Sequence, residues 1–298
     1  MISPRPLKKG DTVALLAPSG PCEPTLLPNA IKFIESLDVK CHVMESCHAR
    51  HEYLAGTDEL RLRDLMTAFA NPNINGIFAA RGGYGALRLL PHINYALVRK
   101  NPKILAGYSD ITALHLALNQ RSKLITFHAP MPVSDFSKTE PDPLTLQSFR
   151  ETLFSSNYVY NNPTPYIPIR HGYARARLTG GNLTVIAATL GTPFEIDTRN
   201  RILFLEEINE EPYRIDRLFW QLKEARKFQD ASGLLLGDFN PYSLHALENA
   251  LRMIPANLPT LGGFSSGHTR INLSLPMGAF ATLQVTESAH QFQIHAPL

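Results

Sequence analysis

Short apolar runs alternate with stretches of helical periodicity through the first half of the chain. "TVALLAPSG" (12–20) has the continuous apolar character of a buried strand and ends in Pro-Ser-Gly. "TLLPNAIKFIESL" (25–37) then places Leu26, Ala30, Ile31 and Ile34 on one helical face. "KCHVM" (40–44) reads as a second strand, and 58–70 as a helix carrying Leu60, Leu62, Leu65, Met66 and Phe69. "GIFAA" (76–80) returns to strand, and the alternation continues through "GALRLLPHI", "KILAGYS", "ITALHLALNQ" and "LITFHAP". This order predicts an α/β fold: a doubly wound, mostly parallel sheet whose functional loops follow the carboxyl ends of its strands.

The pattern changes after a helix at 144–154. "YVYNNPTPYIPIRHGYARARL" is rich in Pro, Asn and Tyr, and its prolines oppose both helix and central strand. The organisation expected is an N-terminal α/β domain over 1–158, a linker over 159–170 and a smaller, mixed α/β domain over 171–298. The second domain combines the strand "RILFL", a helix at 212–226, the strand "GLLLGDF", a helix at 242–253 and the closing strands "ATLQVTES" and "QFQIHAP".

Composition narrows the class. The 298 residues carry 44% hydrophobic side chains, enough for a sizeable core. Twenty-nine basic and 26 acidic residues leave a net charge of only +3, dispersed along the chain, which argues against a nucleic-acid partner held through phosphates. "VALLA" is too short for a secretory apolar core and is preceded by Asp11 and Thr12. No segment reaches the ~20 apolar residues of a membrane span, so a cytoplasmic protein without membrane contact is expected. Three cysteines do not suggest a disulfide framework. Cys41, His42, Cys47, His48 and His51 crowd together in "CHVMESCHARH". Their spacing is looser than that of structural zinc sites, and neighbouring strand residues point apart, so no metal and no cofactor is expected.

Two strand ends carry candidate chemistry. In "IFAARGGYGALRLL" a strand runs into Arg81-Gly82-Gly83-Tyr84-Gly85 and then a helix. Glycines there let backbone amides face a phosphate or a developing oxyanion, although a plain glycine-rich turn has the same spelling. The third glycine of G-x-G-x-x-G is absent, which counts against a dinucleotide loop. In "ILAGYSDITALH" the sequence strand, Tyr108-Ser109-Asp110, helix is the geometry of a nucleophile elbow and would set the Asp110 amide beside the Ser109 hydroxyl. Ile111 replaces the second glycine of G-x-S-x-G, and a serine before a helix is also a good N-cap. Glu206 stands directly after "RILFL", too far upstream to serve the helix that begins at Pro212. His268 lies in the Gly/Ser-rich loop "TLGGFSSGHTR", one of eleven histidines and not distinguished from the others by composition.

Taken in order, "APSG" (17–20), "RGGYGA" (81–86), "GYSDIT" (107–112), "HAPM" (128–131), "GGNL" (180–183), "LFLEEINEEPYRIDR" (203–217) and "GHT" (267–269) resemble the LD-carboxypeptidase, or muramoyltetrapeptide carboxypeptidase, family. The resemblance implies a serine hydrolase with Ser109 as nucleophile, Glu206 as orienting acid and His268 as general base. The amides of Gly83 and Asp110 would form the oxyanion hole, with Arg81 and Gly82 on the substrate side. It further implies an active site at the domain junction, a homodimer, and release of terminal D-alanine from murein tetrapeptides during cell-wall recycling. Ala129 replaces the family's usual Gly, and Glu207 its frequent Asp after the acid. Two other readings remain: a microcin-immunity peptidase acting on a peptidyl-nucleotide, and a non-catalytic anion-binding module in which Ser109 is only a cap.

Overall fold

The computed structural model describes residues 1–137, 140–155, 158 and 162–295. The chain divides into two compact units, Met1–Asn157 with Ser274–Pro276, and Tyr158–Leu273 with Met277–Leu298.

The first unit is built on a six-stranded sheet. Its strands are β1 (Thr12–Leu16), β2 (Lys40–Val43), β3 (Gly76–Ala79), β4 (Ile104–Gly107), β5 (Thr126–His128) and β11 (Leu275–Met277), in the order β11-β5-β4-β3-β1-β2. The pairs β1/β2, β1/β3, β3/β4 and β4/β5 are all parallel. Strand residues Val13–Leu16, Ile77–Ala79 and Leu105 are fully buried, which explains why these segments are apolar throughout rather than alternating. Helices Leu27–Glu35 and Pro143–Phe154 supply Phe33 and Phe149, and Phe78 of β3 meets the Phe149 ring edge-on at 5.5 Å. Strand order reverses between β1 and β3. Right-handed crossovers therefore send the connections to opposite faces and open a crevice at the carboxyl ends of these two strands.

The second unit contains a seven-stranded mixed sheet. Its strands are β6 (Ile167–Arg170), β7 (Gly172–Asn182), β8 (Arg201–Ile208), β9 (Gly233–Asn240), β10 (Thr260–Gly262), β12 (Phe280–Val285) and β13 (His290–His295), in the order β13-β12-β7-β8-β9-β10-β6. β7 to β10 run parallel, while β12 pairs antiparallel with β7 and β13, and β6 antiparallel with β10. Helix Pro212–Glu224 covers part of this sheet through Phe219, whose ring lies 6.3 Å from that of Phe239 on β9.

The fold class is the one the alternation predicts, with local differences. Within the 159–170 stretch expected as a linker, residues 159–161 lie outside the described residues and 167–170 form β6. Residues 274–276, expected in the C-terminal domain, join the edge of the first sheet. The helix expected over 242–253 begins as a tighter 3₁₀ turn, Leu244–Leu247, a common form of helix start, and the α-helix is confined to Glu248–Arg252.

Candidate active site

The loops after β1, β3 and β4 meet at the crevice of the first unit. Ser109 follows β4 with a backbone φ of +63°, a left-handed conformation that costs a non-glycine residue roughly 1–2 kcal/mol. A 3₁₀ turn, Ser109–Ile111, and the helix Thr112–Ala117 follow at once, so the chain reverses sharply under the serine. Glycine is required before the turn, since a Cβ on Gly107 would lie 2.9 Å from Ala79 Cβ. Tyr108, and not the serine, occupies the N-cap position of this turn, with Ser109 as its first residue. The strand, sharp turn and helix have the local geometry of an elbow.

Gly82 packs directly against this serine: a Cβ there would lie 2.9 Å from both Cβ and Oγ of Ser109. The next residue, Gly83, has φ +115° and lies against Gly20, whose amide donates to the Gly82 carbonyl at 3.1 Å. Asp110 is buried beneath these loops. One carboxylate oxygen accepts from Ser19 Oγ at 2.6 Å and from the Ala86 amide at 2.8 Å, so the side chain ties the β1 loop and the start of the helix after β3 to the elbow. Burial raises its pKa, and those two donors oppose the rise. Arg61, fully buried, donates to the Pro18 carbonyl and pairs with Asp58. A Cβ on Gly85 would strike its guanidinium, which together with φ +131° requires glycine there. Arg81 is half-buried and donates through Nη1 to the Pro21 carbonyl at 3.1 Å.

His115 lies below the elbow, fully buried, with Nε2 2.8 Å from the Gly107 carbonyl; since a carbonyl only accepts, Nε2 carries the proton. Burial pulls its pKa down to about 4, and the neutral ring supports the turn as a fixed donor.

In the second unit Glu206 and His268 are joined. His268 Nδ1 lies 2.8 Å from Glu206 Oε2, and the carboxylate is wholly buried while the imidazole is partly exposed. A carboxylate only accepts, so Nδ1 carries the proton, and this bond fixes the orientation of the ring. Glu206, expected just past the strand "RILFL", lies inside β8, which continues to Ile208; there the pairing with β9 shifts register between Leu205 and Glu207, an irregularity of the kind that re-aims a side chain. Gly267 (φ +134°) gives the carboxylate its space, because a Cβ there would lie 3.0 Å from Oε2. The histidine loop is held by Asn272 Oδ1, which accepts the Gly267 amide at 3.1 Å, and by Asn240 Nδ2, which donates to the His268 carbonyl at 3.0 Å.

Glu207 does different work. It accepts from Asn182 Nδ2, from the amide and hydroxyl of Thr184 and from the Ile208 amide, fixing the N-terminus of helix Leu183–Thr189. Burial raises its pKa against those donors. Asp238 accepts from Thr269 Oγ1 at 2.8 Å, and burial, assisted by the Glu206 charge, pushes its pKa up to about 6.

The residues singled out in the sequence thus gather in two places: Arg81, Gly82, Gly83, Ser109 and Asp110 in one unit, Glu206 and His268 in the other. Sequence reasoning missed the supports: Arg61, the Asp110 carboxylate, His115, Asp238 and the Glu207 cap. Ser19, Asp110 and Glu207 stood within motifs already noted, "APSG", "GYSDIT" and "LFLEE", but their side-chain roles did not show there. Of the crowded residues near 41–51, Cys47 is buried and donates to the Leu15 carbonyl at 3.2 Å. Among the described residues no three His, Cys, Asp or Glu side chains gather as a metal set.

A strained serine above a parallel sheet, glycine turns against its hydroxyl and a buried carboxylate–imidazole pair are the constituents of an α/β serine hydrolase. Comparison with known proteins narrows the class, and the chain belongs to the LD-carboxypeptidase family. Residues 13–129 match the LD-carboxypeptidase N-terminal domain and residues 175–283 the LD-carboxypeptidase C-terminal domain. A probable murein peptide carboxypeptidase of Bacillus subtilis (strain 168) is 40% identical over 293 residues, covering 95% of this chain and 92% of that one. The crystal structure of muramoyltetrapeptide carboxypeptidase from Oxalobacter formigenes superimposes with a TM-score of 0.82 at 31% identity, over 96% of this chain and all of that one. An MccF-like protein from Bacillus anthracis str. Ames superimposes with a TM-score of 0.90 at 25% identity over the full length of both. The protein is a serine-type carboxypeptidase.

Proposed function

We propose that the protein is an LD-carboxypeptidase that releases terminal D-alanine from murein tetrapeptides in the cytoplasm, supplying tripeptide for cell-wall recycling. The single observation that carries the mechanism is the Nδ1 to Oε2 bond of 2.8 Å between His268 and Glu206, which orients the ring with Nδ1 as the donor to the carboxylate. In this reading His268 takes the Ser109 proton as the hydroxyl attacks the peptide carbonyl, and later returns it to the departing D-alanine amine. Glu206 fixes the ring tautomer and stabilises the imidazolium without itself accepting the proton. The amides of Gly83 and Asp110 receive the oxyanion; one such donor is worth about 3–4 kcal/mol in the transition state. Arg81, beside the glycine turn, takes the substrate's terminal carboxylate, for which a planar guanidinium offers paired donors; Arg81→Lys should raise KM. The two units act as an N-terminal domain bearing the nucleophile and a C-terminal domain bearing acid and base, and the enzyme works as a homodimer.

A second reading is favoured by one observation, the full-length likeness to the MccF-like protein. It assigns the same serine chemistry to a peptidyl-nucleotide. The murein reading is preferred because the 40% identical relative is a murein peptide carboxypeptidase by name. The test offers both substrates to purified enzyme and to Ser109→Ala, with chelator present. D-alanine release by the wild type alone supports the proposal. Cleavage of the peptidyl-nucleotide alone replaces it with the second reading, and no cleavage of either turns attention to the anion-binding module.

A further inference from the structure

Helix Pro212–Glu224 buries one side only. Ile215, Phe219 and Leu222 are buried, whereas Tyr213 is 58% and Trp220 55% exposed, and Arg217 and Glu224 are exposed with them. At about 100° per residue, Tyr213, Arg217, Trp220 and Glu224 fall within about 60° of one another around the helix, so they form one outward stripe. The Arg217 guanidinium lies over the Tyr213 ring, 5.7 Å from its centre, and among the described residues it pairs with no carboxylate. Glu224 makes one long contact, 3.8 Å to Lys223 Nζ. Tryptophan, tyrosine and arginine are the side chains that concentrate at the energetic centres of protein interfaces. We propose that this stripe is the surface through which two copies of the chain associate, helix against antiparallel helix, with Trp220 at the two-fold axis and two Arg217–Glu224 pairs flanking it.

The charges of the stripe say what covers it. Arg217 and Glu224 stand about 10 Å apart along the helix axis, with Trp220 close to midway between them. A two-fold rotation about an axis beside Trp220 lays a second copy of the helix antiparallel on the first. It sets Trp220 against the partner's Trp220, Arg217 against the partner's Glu224 and Glu224 against the partner's Arg217. The face is its own complement, which is what an isologous interface requires. Any other partner must bring an acid and a base at the same spacing around an apolar centre; a second copy carries them already. Tyr213 holds the guanidinium in the stripe, so less side-chain freedom is lost when the pair closes. Trp220 then supplies most of the affinity, and the flanking pairs set the register. The inference rests on the homodimer reading and names the face that makes the dimer.

The test is sedimentation equilibrium of the full-length protein, read beside its tryptophan emission. Trp220 is the only tryptophan in the chain, so the emission reports this face alone. The expected result is a mass of two chains that falls to one on dilution, with the emission moving to the red at the same midpoint. Trp220→Ala should raise the dissociation constant at least about thirtyfold, the scale of a buried interface tryptophan. Arg217→Glu and Glu224→Arg should each raise it at least about tenfold, because each sets like charges together twice. Mixed in equal amounts, these two charge-reversed chains should associate with one another, since both pairs in the mixed dimer are again of opposite sign. A wild type that stays monomeric at every concentration would overturn this face and the homodimer reading together. A wild-type dimer unmoved by all three substitutions, with red emission throughout, would overturn the face and leave the homodimer standing. Two weakened variants that fail to associate when mixed would overturn the pairing of Arg217 with Glu224.

Discussion

The proposed nucleophile and the proposed base are held by different means. Around Ser109 the backbone does the positioning: a left-handed serine, glycines at 82, 83, 85 and 107, and buried side chains whose partners are largely main-chain atoms. Around His268 the positioning is between side chains, one imidazole–carboxylate bond with Thr269 on Asp238 beside it. Backbone placement is rigid and depends on what is missing, namely Cβ atoms. Side-chain placement depends on charge and tautomer. The two regions should therefore fail differently when altered, the first by added volume and the second by an isosteric change of hydrogen-bonding character.

The largest effect is expected from Ser109→Ala, which removes the attacking oxygen and should lower kcat/KM by roughly four to six orders of magnitude. Glu206→Gln leaves the shape of the pair but not its acceptor character, and should cost roughly 10⁴-fold in kcat. A change below tenfold would show that the pair does not serve the reaction. Gly82→Ala tests the backbone side of the comparison. Its Cβ would lie 2.9 Å from Ser109 Oγ, and displacement of that turn should cost roughly 10²–10³-fold in kcat, the scale of a lost oxyanion donor. Normal activity in Gly82→Ala would break the claim that the serine is positioned by missing volume.

Stability should separate the two regions with opposite pH dependence. His115 has a folded pKa of about 4 against 6.5 for the free side chain. Between these values the unfolded chain binds more protons, so this contribution is present above pH 6.5 and lost as pH falls toward 4. Asp238 has a folded pKa of about 6 against 3.8. There the folded state binds more protons, so its contribution is present below pH 3.8 and lost as pH rises toward 6. Each window is worth roughly 3 kcal/mol at most. Urea unfolding from pH 4 to 7 should find the acid-side loss reduced in His115→Gln and the opposite slope reduced in Asp238→Asn. Unchanged slopes in both variants would remove titration from the account. The smallest effect is a gain: Ser109→Gly relieves the left-handed backbone and should raise stability by about 1 kcal/mol while abolishing activity.

The same contrast governs how much could be read from the sequence. The parallel sheet was legible because β1, β3 and β4 are buried on both sides and write themselves as unbroken apolar runs. The elbow was legible as strand, short turn and helix. Nothing local distinguished Glu206 from Glu207, neighbours that are both buried. Only the register shift in β8 and the long-range partners, His268 for one and Asn182 with Thr184 for the other, separate an acid site from a helix cap. His268 stood among eleven histidines, and His115 had the same standing until its burial under Gly107 set it apart. The return of residues 274–276 to the first sheet left no trace because three residues are too few for a periodicity.

The central proposal is that the Glu206–His268 pair activates Ser109. It is tested most directly by the rate at which a fluorophosphonate acylates the protein, mapped by mass spectrometry in wild type, His268→Ala and Glu206→Gln. The account predicts stoichiometric labelling at Ser109 in the wild type and a rate at least about 10²-fold lower in His268→Ala, the scale of general-base assistance, with Glu206→Gln also slowed. Labelling of Ser109 at the same rate in all three proteins would contradict it.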